Sequence, residues 1–348
     1  MSGELGAGAV RASLWREWRG GPSVRCFLCA HHCVIAPGER GLCGVRENWE
    51  GVLYTLVYGR PVSVAVDPIE KKPLFHFLPG SMSLSLATVG CNFSCLFCQN
   101  AEISQMPKDQ KRLAGRYLSP GEVVQTALES GCLSVSYTYT EPTVFYEYAR
   151  DCAELAAAAG LKNVFVTNGF MTAATLRDID GLLHAANVDL KSFSDEFYRK
   201  VVGGRLKPVL DSIRRLWAMG VWVEVTTLLI PGMNDSEEEL RSIATFLVSV
   251  SPDIPWHVSR FYPAYRFRHV PPTPVTAIEK ALSIGRDAGL HYVYGGNVPG
   301  HSSESTRCPD CGEVVLDRQG FQLVRNSLHE GRCPRCGREI AVHEKEAR

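Results

Sequence analysis

Cysteine is the residue type whose spacing says most in this chain. Eleven of the 13 cysteines fall into three tight groups: Cys26, Cys29, Cys33 and Cys43; Cys91, Cys95 and Cys98; and Cys308, Cys311, Cys333 and Cys336. Cys132 and Cys152 stand alone in apolar segments, where a cysteine is a small core residue. The middle group reads Cys91-Asn92-Phe93-Ser94-Cys95-Leu96-Phe97-Cys98, a C-x3-C-x2-C run. Three thiolates can hold three irons of a [4Fe–4S] cubane and leave the fourth without a protein ligand, as catalytic metal sites keep one position open. A structural zinc ion would want a fourth ligand close by, and the neighbouring residues supply no obvious one.

The flanking groups have a different character. Cys308-Pro309-Asp310-Cys311-Gly312 and Cys333-Pro334-Arg335-Cys336-Gly337 are paired C-P-x-C-G knuckles, which predict Zn2+ in a tetrahedral zinc ribbon. A structural role is the plain reading of that ribbon. Arg307, Arg318, Arg325, Arg332, Arg335 and Arg338 add positive charge that would suit a nucleic acid or an acidic protein, and nucleic-acid binding stays open. Cys26, Cys29, Cys33 and Cys43, spaced C-x2-C-x3-C-x9-C, predict a second metal module, with Zn2+ and an auxiliary iron–sulfur cluster both compatible. His31 and His32 beside the hook are not assigned as ligands.

The elements that must position these groups follow from periodicity. β-type runs at 84–89, 133–140, 164–167, 188–190, 221–229, 257–261 and 292–294 alternate with helical stretches, the pattern of a parallel sheet with helices outside. Ser119-Pro120-Gly121-Glu122 combines an N-cap, a first-turn proline and a capping-box glutamate, and Gly160, Gly220 and Gly289 can each end a helix. Six strand and helix units predict an α/β fold, a partial (β/α)6 TIM-type barrel open on one side. Function in such folds collects at the carboxyl ends of the strands, where Cys91, Glu141 and Asn168 stand. The expected division is a flexible N-terminus (1–22), a four-cysteine metal-binding module (23–80), the barrel (81–304), the ribbon (305–341) and a flexible tail (342–348).

Composition excludes other classes. Lys+Arg 37 balance Asp+Glu 37, so no global field draws the chain to nucleic acid or an anionic membrane. Residues 1–21 lack the apolar run of a signal peptide, and no long uncharged apolar stretch follows. The expected location is the cytoplasm, whose reducing conditions keep thiols free for metal.

The segment Cys91–Cys98 resembles the signature of radical S-adenosylmethionine (SAM) enzymes. That resemblance implies that the amino and carboxylate groups of SAM chelate the fourth iron. Tyr139-Thr140-Glu141-Pro142 stands where these enzymes carry Gly-Gly-Glu-Pro, whose backbone and glutamate receive the methionine amino group. Tyr139 and Thr140 replace the glycines, so the pocket should be shaped differently while Glu141 is retained. Val166-Thr167-Asn168-Gly169 and Asp189-Leu190-Lys191 are similar to motifs of pyruvate formate-lyase activating enzymes that line the SAM and substrate side. A structural ion pair is the other reading of Asp189 and Lys191. His257 resembles the sixth-strand histidine near the SAM adenosine, and Phe97 and Asn100 complete the cofactor-binding set implied.

Over longer stretches, Asp67-Pro68-Ile69-Glu70-Lys71-Lys72-Pro73-Leu74, Gln99-Asn100, Ile230-Pro231-Gly232-Met233-Asn234-Asp235 and Gly296-Asn297-Val298-Pro299-Gly300 resemble the radical SAM member of the AmmeMemoRadiSam system. The implied chemistry is reductive cleavage of SAM to methionine and a 5′-deoxyadenosyl radical that abstracts a hydrogen atom from substrate. Implied partners are a one-electron donor such as flavodoxin or ferredoxin, and Memo-like and AMMECR-type domain proteins. A glycyl-radical enzyme activase is the alternative within this chemistry. A zinc-ribbon binding protein without SAM chemistry is the alternative outside it.

Overall fold

The computed structural model describes residue 6 and residues 8–344. The described residues open with six short strands, β1 (Val10–Arg11), β2 (Trp15–Trp18), β3 (Gly21–Cys26), β4 (Val34–Ile35), β5 (Arg46–Trp49) and β6 (Val52–Thr55), in two antiparallel sheets ordered β2-β3-β4 and β1-β6-β5. The described part of the N-terminus, expected to be flexible to residue 22, is therefore ordered from residue 10. Its anchor is Ser13, whose N–H and hydroxyl both donate to the Glu147 carboxylate, at 2.7 and 2.8 Å. Arg46 closes the same contact with two bonds of 2.9 Å to Glu147. This buried pair fixes the small sheets to the barrel, because removing either partner would strand a charge away from water.

All seven strands read from the sequence form: β8 (Met82–Ala87), β9 (Ser134–Tyr137), β10 (Lys162–Thr167), β11 (Ala185–Asp189), β12 (Trp222–Leu229), β13 (Trp256–Arg260) and β14 (Val293–Gly296). They pair in parallel in that order, each joined to the next through a helix. β9 and β10 are buried along nearly their whole length, as parallel strands covered on both faces must be. The Ser119 capping box forms, and Gly160, Gly220 and Gly289 take positive φ where their helices end. An eighth strand, β7 (Ser63–Pro68), pairs antiparallel with β8 at the edge. The expected division puts it in the N-terminal module, but its alternating exposure is that of an edge strand of the barrel. β7 and β14 are the two ends of the sheet, so the barrel stays open between them.

Residues 69–78 cross beneath the sheet and are clamped there by Glu224 of β12, which accepts from the N–H groups of Phe75 (3.0 Å) and His76 (2.8 Å). The C-terminal sheet of β15 (Thr306–Arg307), β16 (Val314–Gln319) and β17 (Gln322–Asn326) docks on this segment. Arg318 reaches in to donate to the Phe75 carbonyl and, at 2.9 Å, to Thr306, and lies 3.5 Å from buried Glu70. The expected tail begins inside this docking, since the His343 N–H donates to the His76 carbonyl at 2.7 Å. Residues 345–348 of that tail lie outside the described residues. Among the described residues no helix is long and apolar enough to cross a membrane.

Candidate active site

One cavity collects residues from the carboxyl end of every parallel strand. Its wall includes Cys91, Cys95 and Cys98 after β8, Tyr139 and Glu141 after β9, Asn168 after β10, Asp189 and Lys191 at and after β11, Thr226 and Leu228 of β12, Ser259 of β13 and Asn297 after β14. The sheet must therefore curl around it. Counted out to its mouth, it holds about 1300 Å³ of space between atoms.

The three-cysteine loop is shaped from below. Gly90 enters it at φ +104, and a Cβ there would meet Val45 at 2.7 Å. The ring of Phe93 is fully buried against Phe170, and Gly204 makes room for it: a Cβ at Gly204 would stand 2.3 Å from the Phe93 ring. Lys108 donates to the Phe93 carbonyl and the Ser94 hydroxyl, and Ser94 and Leu96 donate backbone bonds to Val202 and Val201. The sulfurs face the cavity with donors nearby, Phe93 N–H 3.4 Å and Asn168 Nδ2 3.8 Å from Cys91 Sγ. Burial pushes the Cys91 thiol well up and that of Cys95 up to about 12, so at neutral pH both become thiolates only when a cation takes the proton's place.

Sulfur spacing tests which metal each group fits. Four sulfurs around one zinc ion at ~2.3 Å stand ~3.8 Å apart. The C-terminal four meet that condition, all within 4.8 Å of one another, with Cys308–Cys336 at 3.5 Å and Cys311–Cys333 at 3.6 Å. Among the described residues no other three cysteines do. Cys91, Cys95 and Cys98 are not drawn together to that spacing, and three thiols on one cavity wall are the donor set that a cubane with one open iron takes.

The acids of the cavity are already committed. Glu141 is buried and accepts from Thr143 N–H, the Thr143 and Thr167 hydroxyls and Asn168 N–H, at 2.5–3.1 Å. Burial raises its pKa, and these donors offset part of that shift. Its work here is to tie β9 to β10 and aim Asn168, whose Nδ2 donates to Asn92 Oδ1 at 2.7 Å. Asp189 pairs with Lys191 at 2.9 Å. Burial alone would lower Lys191, but Asp189 and the Cys95 sulfur more than offset it and the ammonium is held. The Ile230–Asp235 motif has a positioning role: Asn234 donates to the Lys191 and Leu228 carbonyls, pinning the Lys191 loop to β12.

Tyr139 adopts the left-handed conformation at φ +62 that a glycine would take there at no cost. Its carbonyl accepts from Asn100 Nδ2 at 2.8 Å and its hydroxyl donates to Asp67. Asp67 also binds Lys71 and Lys72, each at 2.7 Å, and Lys71 lines the cavity. Burial brings Lys72 down to about 8.

His257 is the expectation the structure does not bring to the cavity. It is the second residue of β13, and its Nε2 bonds buried Glu224 at 2.7 Å, with its ring 4.7 Å from Phe75. Ser259, two residues on and on the same face, lines the cavity instead. Sequence reasoning missed Lys71, Asn187, Ser259, Asn297 and Phe321 as cavity residues. Lys71 and Asn297 lie inside motifs already singled out, whereas Phe321, at the β16–β17 turn, carries no signal.

The chain matches the model of the Radical SAM superfamily over residues 85–245. It is 43% identical over 336 residues to Uncharacterized protein MJ0808 of Methanocaldococcus jannaschii, covering 96% of this chain and 99% of that protein. It is 25% identical over 146 residues to the benzylsuccinate synthase activating enzyme of Thauera aromatica, covering 40% of this chain and 44% of that enzyme. Among solved structures, a domain of a pyruvate-formate lyase-activating enzyme from Bacteroides vulgatus aligns with TM-score 0.41 and 20% identity, over 47% of this chain and 99% of that domain.

Proposed function

This chain belongs to the radical SAM superfamily and is an enzyme of that class, and on that premise we propose that it cleaves SAM reductively in the cavity at the carboxyl ends of β8–β14, to remove a hydrogen atom from a second substrate held there. The observation that carries this reading is the set of three cysteines facing one cavity and not drawn together to the spacing of a single ion, with both nearby acids bound elsewhere. When bound on Cys91, Cys95 and Cys98, a [4Fe–4S] cluster supplies one electron to the sulfonium and an open iron for SAM to chelate. The chain's own residues do the rest. Asn168 and the Phe93 N–H steady the Cys91 thiolate, Lys191, held by Asp189, offsets charge beside Cys95, and Asn100, Ser259 and Asn297 offer polar groups for the nucleoside and amino-acid ends of SAM. Phe97 sits under Lys191, 5.8 Å from its ammonium.

Within this class, the reading that suits the long motifs is the radical SAM member of the AmmeMemoRadiSam system, a cytoplasmic enzyme working with Memo-like and AMMECR-type proteins and reduced by a flavodoxin or ferredoxin. The Asp67–Leu74 motif supports it by supplying Lys71 to the cavity, and the Ile230–Asp235 motif by fixing Lys191. The C-terminal group is proposed to hold zinc. A glycyl-radical activase is the second reading, favoured by the likeness to the benzylsuccinate synthase activating enzyme. The test is anaerobic reconstitution with iron and sulfide, then SAM and dithionite. Wild type should form 5′-deoxyadenosine and Cys95→Ala none; equal yields from the two would refute the assignment.

A further inference from the structure

The N-terminal cysteines have no part in the chemistry described so far. Cys26, Cys29, Cys33 and Cys43 line a single pocket with Leu28, Ile35, Leu42, Thr143 and other residues, about 370 Å³ of space between atoms. The Cys29 sulfur lies close enough to those of Cys26, Cys33 and Cys43 to feel their charge, yet among these cysteines no three lie within 4.8 Å of one another. That separates them from the ribbon cysteines of the same chain, which close to the spacing of one zinc ion. A bare tetrahedral zinc set and this pocket differ in the same direction as the ribbon and the central cysteine loop differ.

Position gives the pocket a purpose. Thr143 lines it, and the N–H and hydroxyl of Thr143 both donate to Glu141, which lines the SAM cavity. His31 also lines it, and His31 Nε2 contacts the Asn92 carbonyl at 2.9 Å, one residue from Cys91. The Cys43 carbonyl packs on Gly90, immediately before Cys91, 3.2 Å from where a Cβ would be. A single layer of residues thus separates the two cysteine sets. On the far side Leu42 is 61% exposed, so the pocket also meets solvent.

We propose that Cys26, Cys29, Cys33 and Cys43 hold a second iron–sulfur cluster, which relays electrons through the Thr143–Glu141 and His31–Asn92 partition to the centre at Cys91, Cys95 and Cys98; only the relay rests on the function proposed above. A reduced flavin or iron–sulfur protein gives up one electron, the outer cluster takes it and hands it inward. It is consumed in breaking one C–S bond of SAM, leaving methionine with a neutral thioether and the adenosyl carbon with the unpaired electron.

Two variants test the two halves. Cys91→Ala/Cys95→Ala/Cys98→Ala, reconstituted anaerobically with iron and sulfide, should retain about four irons with acid-labile sulfide per chain. Zinc at that site without sulfide would overturn the cluster, and this arm stands whether or not wild type cleaves SAM. Cys26→Ser/Cys33→Ser should keep dithionite-driven 5′-deoxyadenosine formation and lose that driven by reduced flavodoxin. Equal rates with the two donors would overturn the relay, and if this variant fails to fold the first still decides the cluster.

Discussion

The C-terminal and central cysteines offer the same ligand atom on turns of similar tightness, and the fold uses them oppositely. At the ribbon, two knuckles from separate turns bring four sulfurs within 4.8 Å, and Gly312 and Gly337 take the positive φ that lets each knuckle close. At the barrel mouth three cysteines come from one loop, in which they alternate with the buried Phe93 and Phe97 and whose Ser94 and Leu96 bond to the backbone of Val202 and Val201. A closed set completes its ion and has nothing left to offer, whereas an open set facing a cavity leaves coordination for a ligand. Spacing, more than residue type, separates the two cysteine sets in this chain.

The contrast can be broken most completely at Cys95. Cys95→Ala should abolish 5′-deoxyadenosine formation and strip the central iron while leaving ribbon metal in place, measured by metal analysis of the same sample. Chelation at the other end should do the reverse. Structural zinc contributes on the order of 10 kcal/mol to folding such modules, so removing the metal proposed at these four cysteines should unfold β15–β17 and speed hydrogen exchange across Val314–Asn326 with central iron retained.

A smaller effect sharpens the seam between the two regions. His76 Nδ1–H donates to the Ala341 carbonyl at 2.7 Å and its Nε2 accepts from the Tyr294 hydroxyl at 2.5 Å, an arrangement that needs the neutral ring. Burial lowers its pKa to about 4. Between the ordinary histidine value near ~6.5 and that figure the unfolded chain binds a proton the native chain does not. Stability present above that window should therefore fall as pH drops through it, by about 3 kcal/mol at most. Denaturant titrations from pH 7 to pH 4 should show this slope in wild type and a shallower one in His76→Gln. Least of all, Gly204→Ala should cost about 1–3 kcal/mol by pushing on the Phe93 ring, with a matching loss in iron retention if Phe93 is what spaces the loop.

The barrel is legible in the sequence because its seven parallel strands are apolar runs bounded by capping and turn residues. β7 is not: Ser63, Val64, Ala65 and Val66 never reach full burial, as befits an edge strand. The first two strands escape because their order comes from Ser13 and Arg46 meeting Glu147, a contact 134 residues long in sequence for Ser13. At the site, the cysteines can be read because their spacing is local. His257 misleads because residue type does not give register: it and Ser259 share a face, but the cavity lies at the strand's far end. Its partner Glu224 does leave a trace, a single acid within the otherwise uncharged strand Trp222–Leu229. Phe321 leaves none, since a hairpin tip is brought to the cavity only by how the ribbon docks.

The most direct test of the central assignment is electron paramagnetic resonance of the reconstituted, dithionite-reduced enzyme, carried out on Cys26→Ser/Cys33→Ser so that only the central site contributes. Addition of SAM should shift the g-values of the reduced cluster, because its amino and carboxylate groups enter the coordination that Cys91, Cys95 and Cys98 leave open. An identical spectrum with and without SAM would contradict an open iron at that site.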